Sequence, residues 1–200
     1  LPELCKHLPV DMEVLYGDID MTFPNHEANP LKDETIENLC ARVCEKGADF
    51  GMAFDGDGDR ISFVTHEGKR VSGDHLIAFL AEGLLRAHPG SAIIYDLRVG
   101  RAVVERIMTL GGRVVESRVG HSYIKKLMHE YQALFGGELS GHYYFKDFFF
   151  AESSLFTFLQ ILVVLSESGK SLKELDAPLH AYAFSGEINI EVKDRDRAID

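Results

Sequence analysis

Three aspartates, Asp55, Asp57 and Asp59, alternate with glycine in the segment DGDGDR at residues 55–60. Carboxylates are hard oxygen ligands, and three of them on one tight turn can converge on a single Mg²⁺ while leaving room for a phosphate oxygen. The two glycines allow the backbone to bend that sharply. Without a cation the three charges repel one another, so the loop predicts a Mg²⁺ site; an acidic surface loop is the ordinary alternative.

Two other families of metal loop share part of this pattern. An EF-hand is excluded, because Arg60 stands where its glycine is required and His66 where its bidentate glutamate is required. A haloacid-dehalogenase-type phosphatase uses one aspartate as nucleophile and another as general acid, which would be Asp55 and Asp57. Asp59 then occupies a position where threonine, serine or valine is usual, so the phosphatase remains an alternative hypothesis.

Three further segments carry polar chemistry. Residues 136–142 read GGELSGH and combine a carboxylate, a hydroxyl and an imidazole, which suit the recognition of sugar hydroxyls. Residues 120–122 read GHS and open a predicted helix whose free N–H groups, with Lys125 one turn on, can hold a phosphate. Arg98 and Arg101 follow a predicted strand and can clamp phosphate oxygens. Each segment also has an ordinary interpretation as a surface pair, a capping neighbour or surface arginines.

The hydrophobic pattern predicts the elements that position these loops. From residue 92 onwards strands and helices alternate, which indicates a mostly parallel sheet with helices on both faces and ligands beyond the carboxyl ends of its strands. The predicted strands cover residues 12–16, 51–54, 61–64, 92–97, 113–119, 133–135 and 187–192. The predicted helices cover residues 33–46, 75–87, 102–110, 123–131 and 153–168, with Asp33 and Asp74 as caps of the first two.

The fold class expected is therefore α/β, with two consecutive α/β domains whose mixed, mostly parallel sheets are flanked by helices. We assign residues 1–69 to a partial domain that carries the aspartate loop and residues 70–181 to a domain that carries the GGELSGH loop. Residues 182–200 are interpreted as a linker and the first strand of a truncated further domain.

Composition limits the partners. The 200 residues are 46% hydrophobic and carry a formal net charge of −11. This charge argues against nucleic acid and anionic membranes, both of which require a basic face. Three cysteines without CxxC spacing suit free thiols in a reducing compartment. The longest apolar run, residues 155–165, is too short to span a bilayer, and no signal peptide is recognisable, so we expect a cytoplasmic protein.

Four segments together resemble a known family: DGDGDR at 55–60, ELSGH at 138–142, GHSYIK at 120–125 and FPNH at 23–26. In this order and spacing they look like the phosphohexomutase superfamily, and most like its phosphomannomutase/phosphoglucomutase members. The resemblance covers nearly the whole chain. It implies a four-domain enzyme that interconverts hexose 1- and 6-phosphates through a phosphoserine and a bisphosphate intermediate, with Mg²⁺ as cofactor and a hexose phosphate as substrate.

The resemblance also implies roles for individual residues. The expected metal ligands are Asp55, Asp57 and Asp59. The expected catalytic residues are Arg60, His121 and Arg98, and the expected substrate-binding residues are Glu138, Ser140, His142 and Lys125. Where lysine is expected the chain has Arg98, and a guanidinium supplies charge but does not lose a proton.

Two motifs of that family are not found in the printed sequence: the TASHNP serine loop of its first domain and the phosphate-gripping loop of its last. The first strand of the second domain is not recognisable either. We therefore expect the central portion of a longer enzyme, inactive without its N- and C-terminal domains. Leu139 favours this assignment over phosphoglucosamine mutase, where glutamine is expected. The other hypotheses are the phosphatase above and a non-catalytic metal-binding module, in which residues 138–142 would have no purpose.

Overall fold

The computed structural model describes residues 1–183 and 191–192. Most of the strand predicted at 187–192 therefore lies outside the described residues. In chain order the helices are α1 (Pro2–Cys5), α2 (Asp33–Lys46), α3 (Gly73–Ala87), α4 (Arg101–Thr109), α5 (His121–Glu130), α6 (Ser154–Ser168) and α7 (Leu172–Asp176). The strands are β1 (Phe50–Phe54), β2 (Ile61–Thr65), β3 (Ala92–Asp96), β4 (Arg113–Ser117), β5 (Phe135–Gly137), β6 (Tyr143–Phe145) and β7 (Ala151–Glu152). Short 3₁₀ segments cover Lys146–Phe148 and Ala177–Ala181.

The strand predicted at residues 12–16 is wrong. A strand exists only in a hydrogen-bonded ladder, and β1 pairs with β2 in a two-stranded sheet that does not include this segment. Glu13 instead forms ion pairs with α2, at 2.7 Å from Arg42 Nε and 3.4 Å from Lys46 Nζ. The segment is thus held by side-chain contacts, which include the packing of Met12 against the core, rather than by backbone pairing.

The ends of two helices differ from prediction. Lys32 occupies the N-cap position of α2 and Ser72 that of α3, so Asp33 and Asp74 are the first and second residues inside their helices rather than caps. The predicted stop of α2 is confirmed: Gly47 adopts a left-handed φ of 63°, and its N–H closes the last turn. Helix α7 begins with a capping box between Ser171 and Glu174.

Strands β1 and β2 form an antiparallel hairpin in which Phe54 pairs with Ile61. The aspartate loop, residues 55–60, is therefore the connection of this hairpin. The larger sheet has the order β4-β3-β5-β6-β7. Its first three strands are parallel, and β6 and β7 extend it antiparallel. The α/β class with a mixed sheet is thus confirmed, and the carboxyl ends of the parallel strands share one edge.

One apolar core joins the hairpin to the larger sheet. Helix α3 contributes Leu76, Ile77 and Leu80, all fully buried, and the same cluster includes Ile61 and Phe63 of β2. Burying one such side chain contributes about 1.5–3 kcal/mol. This packing fixes the hairpin, and with it the aspartate loop, against the helix and sheet that carry the other polar loops.

In the described part of the chain no single helix is both long and apolar enough to cross a membrane. Only α6 taken together with residues 172–181 passes that test of length and composition, and the two parts are bent by 88° relative to each other. Cys5, Cys40 and Cys44 are unpaired thiols.

Candidate metal and sugar-phosphate site

The aspartate loop is organised around Asp55, which follows β1 and is buried. Its Oδ1 accepts hydrogen bonds from the backbone N–H groups of Gly58 and Arg60, both at 3.1 Å. Its Oδ2 accepts a charged hydrogen bond of 2.6 Å from Arg60 Nε. Asp55, Asp57 and Asp59 each offer an oxygen within 4.8 Å of the others, so the loop could hold a metal ion.

The charges of the loop suit a cation. Burial raises the pKa of Asp55, but the hydrogen bonds from Arg60 outweigh it and leave the pKa below its usual range. Burial also raises the pKa of Asp59, and repulsion from Asp55 and Asp57 adds to this, while His142 opposes it. A divalent ion would relieve that repulsion, since it offsets the concentrated negative charge. Three convergent carboxylates therefore fit a divalent cation.

The second loop connects β5 to β6 and contains Glu138, whose side chain is almost completely buried. Glu138 Oε1 accepts a 2.5 Å hydrogen bond from the Tyr144 hydroxyl, and its Oε2 lies 3.4 Å from Ser140 Oγ. Burial and the neighbouring Glu138 carboxylate raise the pKa of Tyr144, so the phenol keeps its proton and remains the donor. The Glu138 N–H donates to the His142 carbonyl at 3.0 Å, which closes the loop.

The two loops are in direct contact. His142 Nε2 lies 3.4 Å from Asp59 Oδ1, and His142 Nδ1 lies 3.0 Å from Ser140 Oγ. The Ile61 N–H, just after the aspartate loop, donates to the Gly141 carbonyl at 3.2 Å. Gly141 has a φ of +91°, and a Cβ there would lie 3.0 Å from the Ile61 carbonyl oxygen. Only glycine permits this approach without strain, so the contact between the loops depends on it.

Two other segments support the aspartate loop from outside. The hydroxyl of Ser154, the first residue of α6, donates to the Gly58 carbonyl. The ring of Phe23 packs beside Gly56, where an added Cβ would meet it at 3.4 Å. The FPNH segment, residues 23–26, which contributed to the family resemblance, thus lies against the aspartate loop.

A third loop, after β3, brings Arg98 to the same place. Asp96 is completely buried and accepts hydrogen bonds of 3.0 Å from both Nε and Nη2 of Arg98. Arg98 Nη2 also lies 3.9 Å from Glu138 Oε2. Asp96 also accepts the Leu139 N–H at 2.8 Å, so one carboxylate fixes both the arginine and the loop from Glu138 to His142. Asp96 was not among the residues predicted from the sequence, although a carboxylate at the carboxyl end of an apolar strand was the available signal.

The remaining predicted residues lie on α5. Lys125 Nζ forms a 2.5 Å ion pair with Glu152 Oε2 and lies 5.9 Å from the centre of the Tyr144 ring. Lys125 is therefore linked to the site indirectly, because Tyr144 in turn donates a hydrogen bond to Glu138. His121 is exposed at the first position of α5, and its side chain forms no hydrogen bond or ion pair with any described residue. The structure thus links nine of the ten predicted residues through mutual or shared contacts and leaves His121 outside that network.

Two family profiles and several relatives match this chain. Residues 1–68 match the family profile "Phosphoglucomutase/phosphomannomutase, alpha/beta/alpha domain II", and residues 72–182 match that for domain III. A phosphomannomutase of Methanocaldococcus jannaschii is 43% identical over 176 residues, which cover 88% of this chain and 39% of the relative. Phosphohexose mutases of Xanthomonas campestris pv. campestris are 38% identical over 197 residues, or 98% of this chain and 44% of the relative.

A solved structure shows the same fold. The phosphoglucomutase/phosphomannomutase family protein of Burkholderia thailandensis superposes with a TM-score of 0.82 at 33% identity, covering 91% of this chain and 39% of that one. The chain thus spans about two fifths of the length of the relatives it matches. Since the two family profiles together match nearly all of it, the chain belongs to the phosphoglucomutase/phosphomannomutase family.

Proposed function

We propose that these residues form the central portion of a phosphohexomutase that interconverts hexose 1-phosphate and hexose 6-phosphate, with mannose and glucose as the hexoses. The observation that carries the proposal is the 3.4 Å contact between His142 and Asp59, because it joins the aspartate loop to the loop from Glu138 to His142. The names of the similar proteins, phosphomannomutase and phosphohexose mutase, support the choice of substrate.

In this proposal the ion held by Asp55, Asp57 and Asp59 is Mg²⁺. Three carboxylates provide only hard oxygen donors, which favour Mg²⁺ over softer metals. Such an ion supplies positive charge that stabilises a transferring phosphoryl group. Arg60 adds a second cation, since its guanidinium is anchored on Asp55 through Nε and its side chain remains 28% exposed. The remaining N–H groups of the Arg60 guanidinium can donate hydrogen bonds to phosphoryl oxygens.

The sugar is recognised by the second loop. Glu138 Oε1 is already taken by Tyr144, so Oε2 is the oxygen that would accept a hydrogen bond from a sugar hydroxyl. Ser140 would bind the neighbouring hydroxyl, and His142 would join the sugar loop to the metal. Carried over from the family resemblance, the two hydroxyls are those on carbons 3 and 4.

Three further side chains would complete the cleft. Arg98, held by Asp96, supplies positive charge without acid–base chemistry, and Lys125 lies behind Tyr144. His121 is assigned a place near the reacting oxygen by the family resemblance alone. The phosphoserine and the second phosphate-binding loop would come from further domains of the same enzyme, and we propose that this enzyme is cytoplasmic.

The other hypotheses are less well supported. Both family profiles describe domains of mutases, and the relatives reported above are named as mutases. These matches do not favour a haloacid-dehalogenase-type phosphatase. A non-catalytic metal module leaves the buried contacts of Glu138 without a purpose. Phosphoglucosamine mutase is the third alternative. Leu139 argues against it, since glutamine is expected there, and an assay with glucosamine 1-phosphate distinguishes the two activities.

The test is an assay of the intact enzyme that contains these residues, with mannose, glucose and glucosamine 1-phosphates as substrates. We expect turnover of the first two, strict Mg²⁺ dependence, and a fall in kcat of about a hundredfold or more for Asp57→Asn. Asp49→Asn, an exposed aspartate just before β1, is the matched control and should retain activity. Full activity of Asp57→Asn, or turnover of glucosamine 1-phosphate alone, would contradict the proposal. Mutase activity of the 200-residue chain by itself would contradict the need for further domains.

A further inference from the structure

A second group of metal-ligating side chains lies outside the loop site. It consists of His75 in the first turn of α3, Asp176 at the end of α7 and His180 in the 3₁₀ segment Ala177–Ala181. His75 Nδ1 lies 2.7 Å from Asp176 Oδ1, and His180 Nε2 lies 2.6 Å from Asp176 Oδ2. Each residue offers one ligand atom within 4.8 Å of the other two. The chain thus holds two imidazoles and one carboxylate at a common point.

The surrounding structure fixes this arrangement. The start of α3 is anchored by the Tyr143 hydroxyl, which donates to the Gly73 carbonyl at 2.8 Å, and by Asp74, which accepts the Gly100 N–H at 2.9 Å. On the other side, Leu172 and Leu179 are buried in the core and hold α7 and the 3₁₀ segment in place. Because both sides are anchored by contacts of their own, the three ligands are positioned before any ion binds.

We propose that His75, Asp176 and His180 form a binding site for a transition-metal ion of the Zn²⁺ type. In a tetrahedral site with zinc–ligand bonds of about 2.0–2.2 Å, neighbouring ligand atoms are about 3.3–3.5 Å apart. The two observed nitrogen–oxygen separations are shorter because each holds a hydrogen bond, one to Oδ1 and one to Oδ2 of Asp176. One ligand atom from each residue lies within 4.8 Å of the other two, so an ion that replaces these hydrogen bonds requires shifts of less than about 1.5 Å.

Accessibility agrees with this role. The side chains of His75 and Asp176 are 11% and 15% exposed, whereas that of His180 is 64% exposed. An ion can therefore enter from the His180 side, and water can complete its coordination shell there.

The two metal sites differ in the ion they select. Imidazole nitrogen is a borderline ligand that suits Zn²⁺, Co²⁺ and Ni²⁺, whereas Mg²⁺ prefers oxygen. The histidine cluster should therefore bind Zn²⁺ in the presence of excess Mg²⁺. Since the ion binds the folded state, it also links the segment Ala177–Ala181 to α3 and stabilises that connection.

The experiment is titration of the metal-free 200-residue chain with Zn²⁺ in excess Mg²⁺, with the bound ions counted by native mass spectrometry and the melting temperature followed in parallel. We expect one Zn²⁺ bound at this cluster, a rise in Tm, and affinity at least about tenfold weaker in His180→Gln. His88→Gln, an exposed histidine at the end of α3, is the control and should bind like the wild type. Asp57→Asn should also keep this Zn²⁺, which separates the site from the aspartate loop.

A second measurement identifies the ligands. Co²⁺ in a tetrahedral site with nitrogen donors absorbs strongly in the visible region, and this band should appear in the wild type and in Asp57→Asn but not in His180→Gln. If wild-type protein binds no Zn²⁺, or if His180→Gln binds Zn²⁺ as tightly as the wild type, the three residues are only a hydrogen-bonded clasp and the proposal is wrong. His180 is exposed, so its replacement does not compromise folding.

Discussion

His142 Nε2 lies 3.4 Å from Asp59 Oδ1, which joins a loop of the two-stranded hairpin to a loop of the five-stranded sheet. The first loop carries the carboxylates that fit a divalent ion, and the second carries the groups that fit sugar hydroxyls. A metal ion among the aspartates would therefore lie beside the residues that face the sugar. The proposed mutase function rests on this arrangement.

Gly141 sets the distance between the two loops. Gly141→Ala should destabilise the protein by more than about 1 kcal/mol, because alanine is strained at a φ of +91° and its Cβ would press on the Ile61 carbonyl. Chemical denaturation measures this loss. Gly90→Ala is the control, since Gly90 also has a positive φ, of +78°, but nothing lies within 4 Å of an added Cβ. Equal losses for the two variants would show that the contact with Ile61 is unimportant.

Tyr144 positions the Glu138 carboxylate through its 2.5 Å hydrogen bond. Tyr144→Phe leaves one buried carboxylate oxygen unsatisfied, which should cost about 1–3 kcal/mol of stability. In the intact enzyme it should also raise KM for the hexose phosphate more than it lowers kcat. Tyr143→Phe is the neighbouring control: it removes a hydrogen bond to Gly73 outside the site, so it should lower stability without changing KM. An unchanged KM in Tyr144→Phe would contradict the positioning role.

Asp96 holds both Arg98 and the backbone of Leu139. Asp96→Asn should destabilise the protein by about 3–5 kcal/mol, because it breaks a charge pair whose carboxylate is completely buried. Thermal and urea unfolding would measure the loss. Asp147→Asn removes an exposed aspartate instead and should change stability by less than about 0.5 kcal/mol. Similar stability of the two variants would rule out a central role for Asp96.

Glu82 should make the stability of the protein depend on pH. It links α3 to α4 through Arg106, at 2.6 Å, and also accepts from Arg86 at 3.0 Å. Burial raises the pKa of Glu82, but the hydrogen bonds from Arg106 and Arg86 outweigh it, so its pKa in the folded protein lies below the usual 4.5.

A carboxyl group with a lowered folded-state pKa binds fewer protons in the folded state. The stabilisation that the Glu82 carboxylate gives the folded state is complete above the unfolded-state pKa of the group. This stabilisation is lost as the pH falls through the folded-state pKa. The wild type should therefore lose more stability than Glu82→Gln between about pH 6 and about pH 3. Denaturation curves at a series of pH values test this, with Glu130→Gln at the exposed end of α5 as control. Parallel pH profiles for wild type and Glu82→Gln would refute the assignment.

Much of the site could be predicted from the sequence because its chemistry is local. Residues 55–60 contain all three carboxylates, and the glycines and flanking apolar runs that make them a hairpin connection are adjacent in sequence. The loop from Glu138 to His142 is similarly compact. Local residue types and spacing were sufficient to group these side chains on two loops, whereas the roles of the individual residues were implied by the family resemblance.

What could not be predicted depends on contacts between distant residues. The hydrogen bond from Leu139 to Asp96 joins positions 43 apart, and that from Ser154 to Gly58 joins positions 96 apart. No spacing rule reveals such pairs. The false strand at residues 12–16 has the same origin, because its mostly apolar residues favour a strand but no strand of the described residues pairs with it. The prediction of Asp74 as the N-cap of α3 was also wrong. The Asp74 carboxylate accepts a hydrogen bond from the Gly100 N–H, in another loop, and Ser72 occupies the N-cap position.

The most direct test of the central claim is paramagnetic NMR with Mn²⁺ in place of Mg²⁺, on a His180→Gln background that removes the proposed second metal site. Mn²⁺ broadens nearby resonances steeply with proximity. We predict that one equivalent of Mn²⁺ broadens the imidazole signals of His142 and leaves those of His88 sharp, and that Asp57→Asn abolishes the effect. A sharp His142 signal with Mn²⁺ bound at the aspartates would contradict the account, since metal and sugar loops would then not share a site.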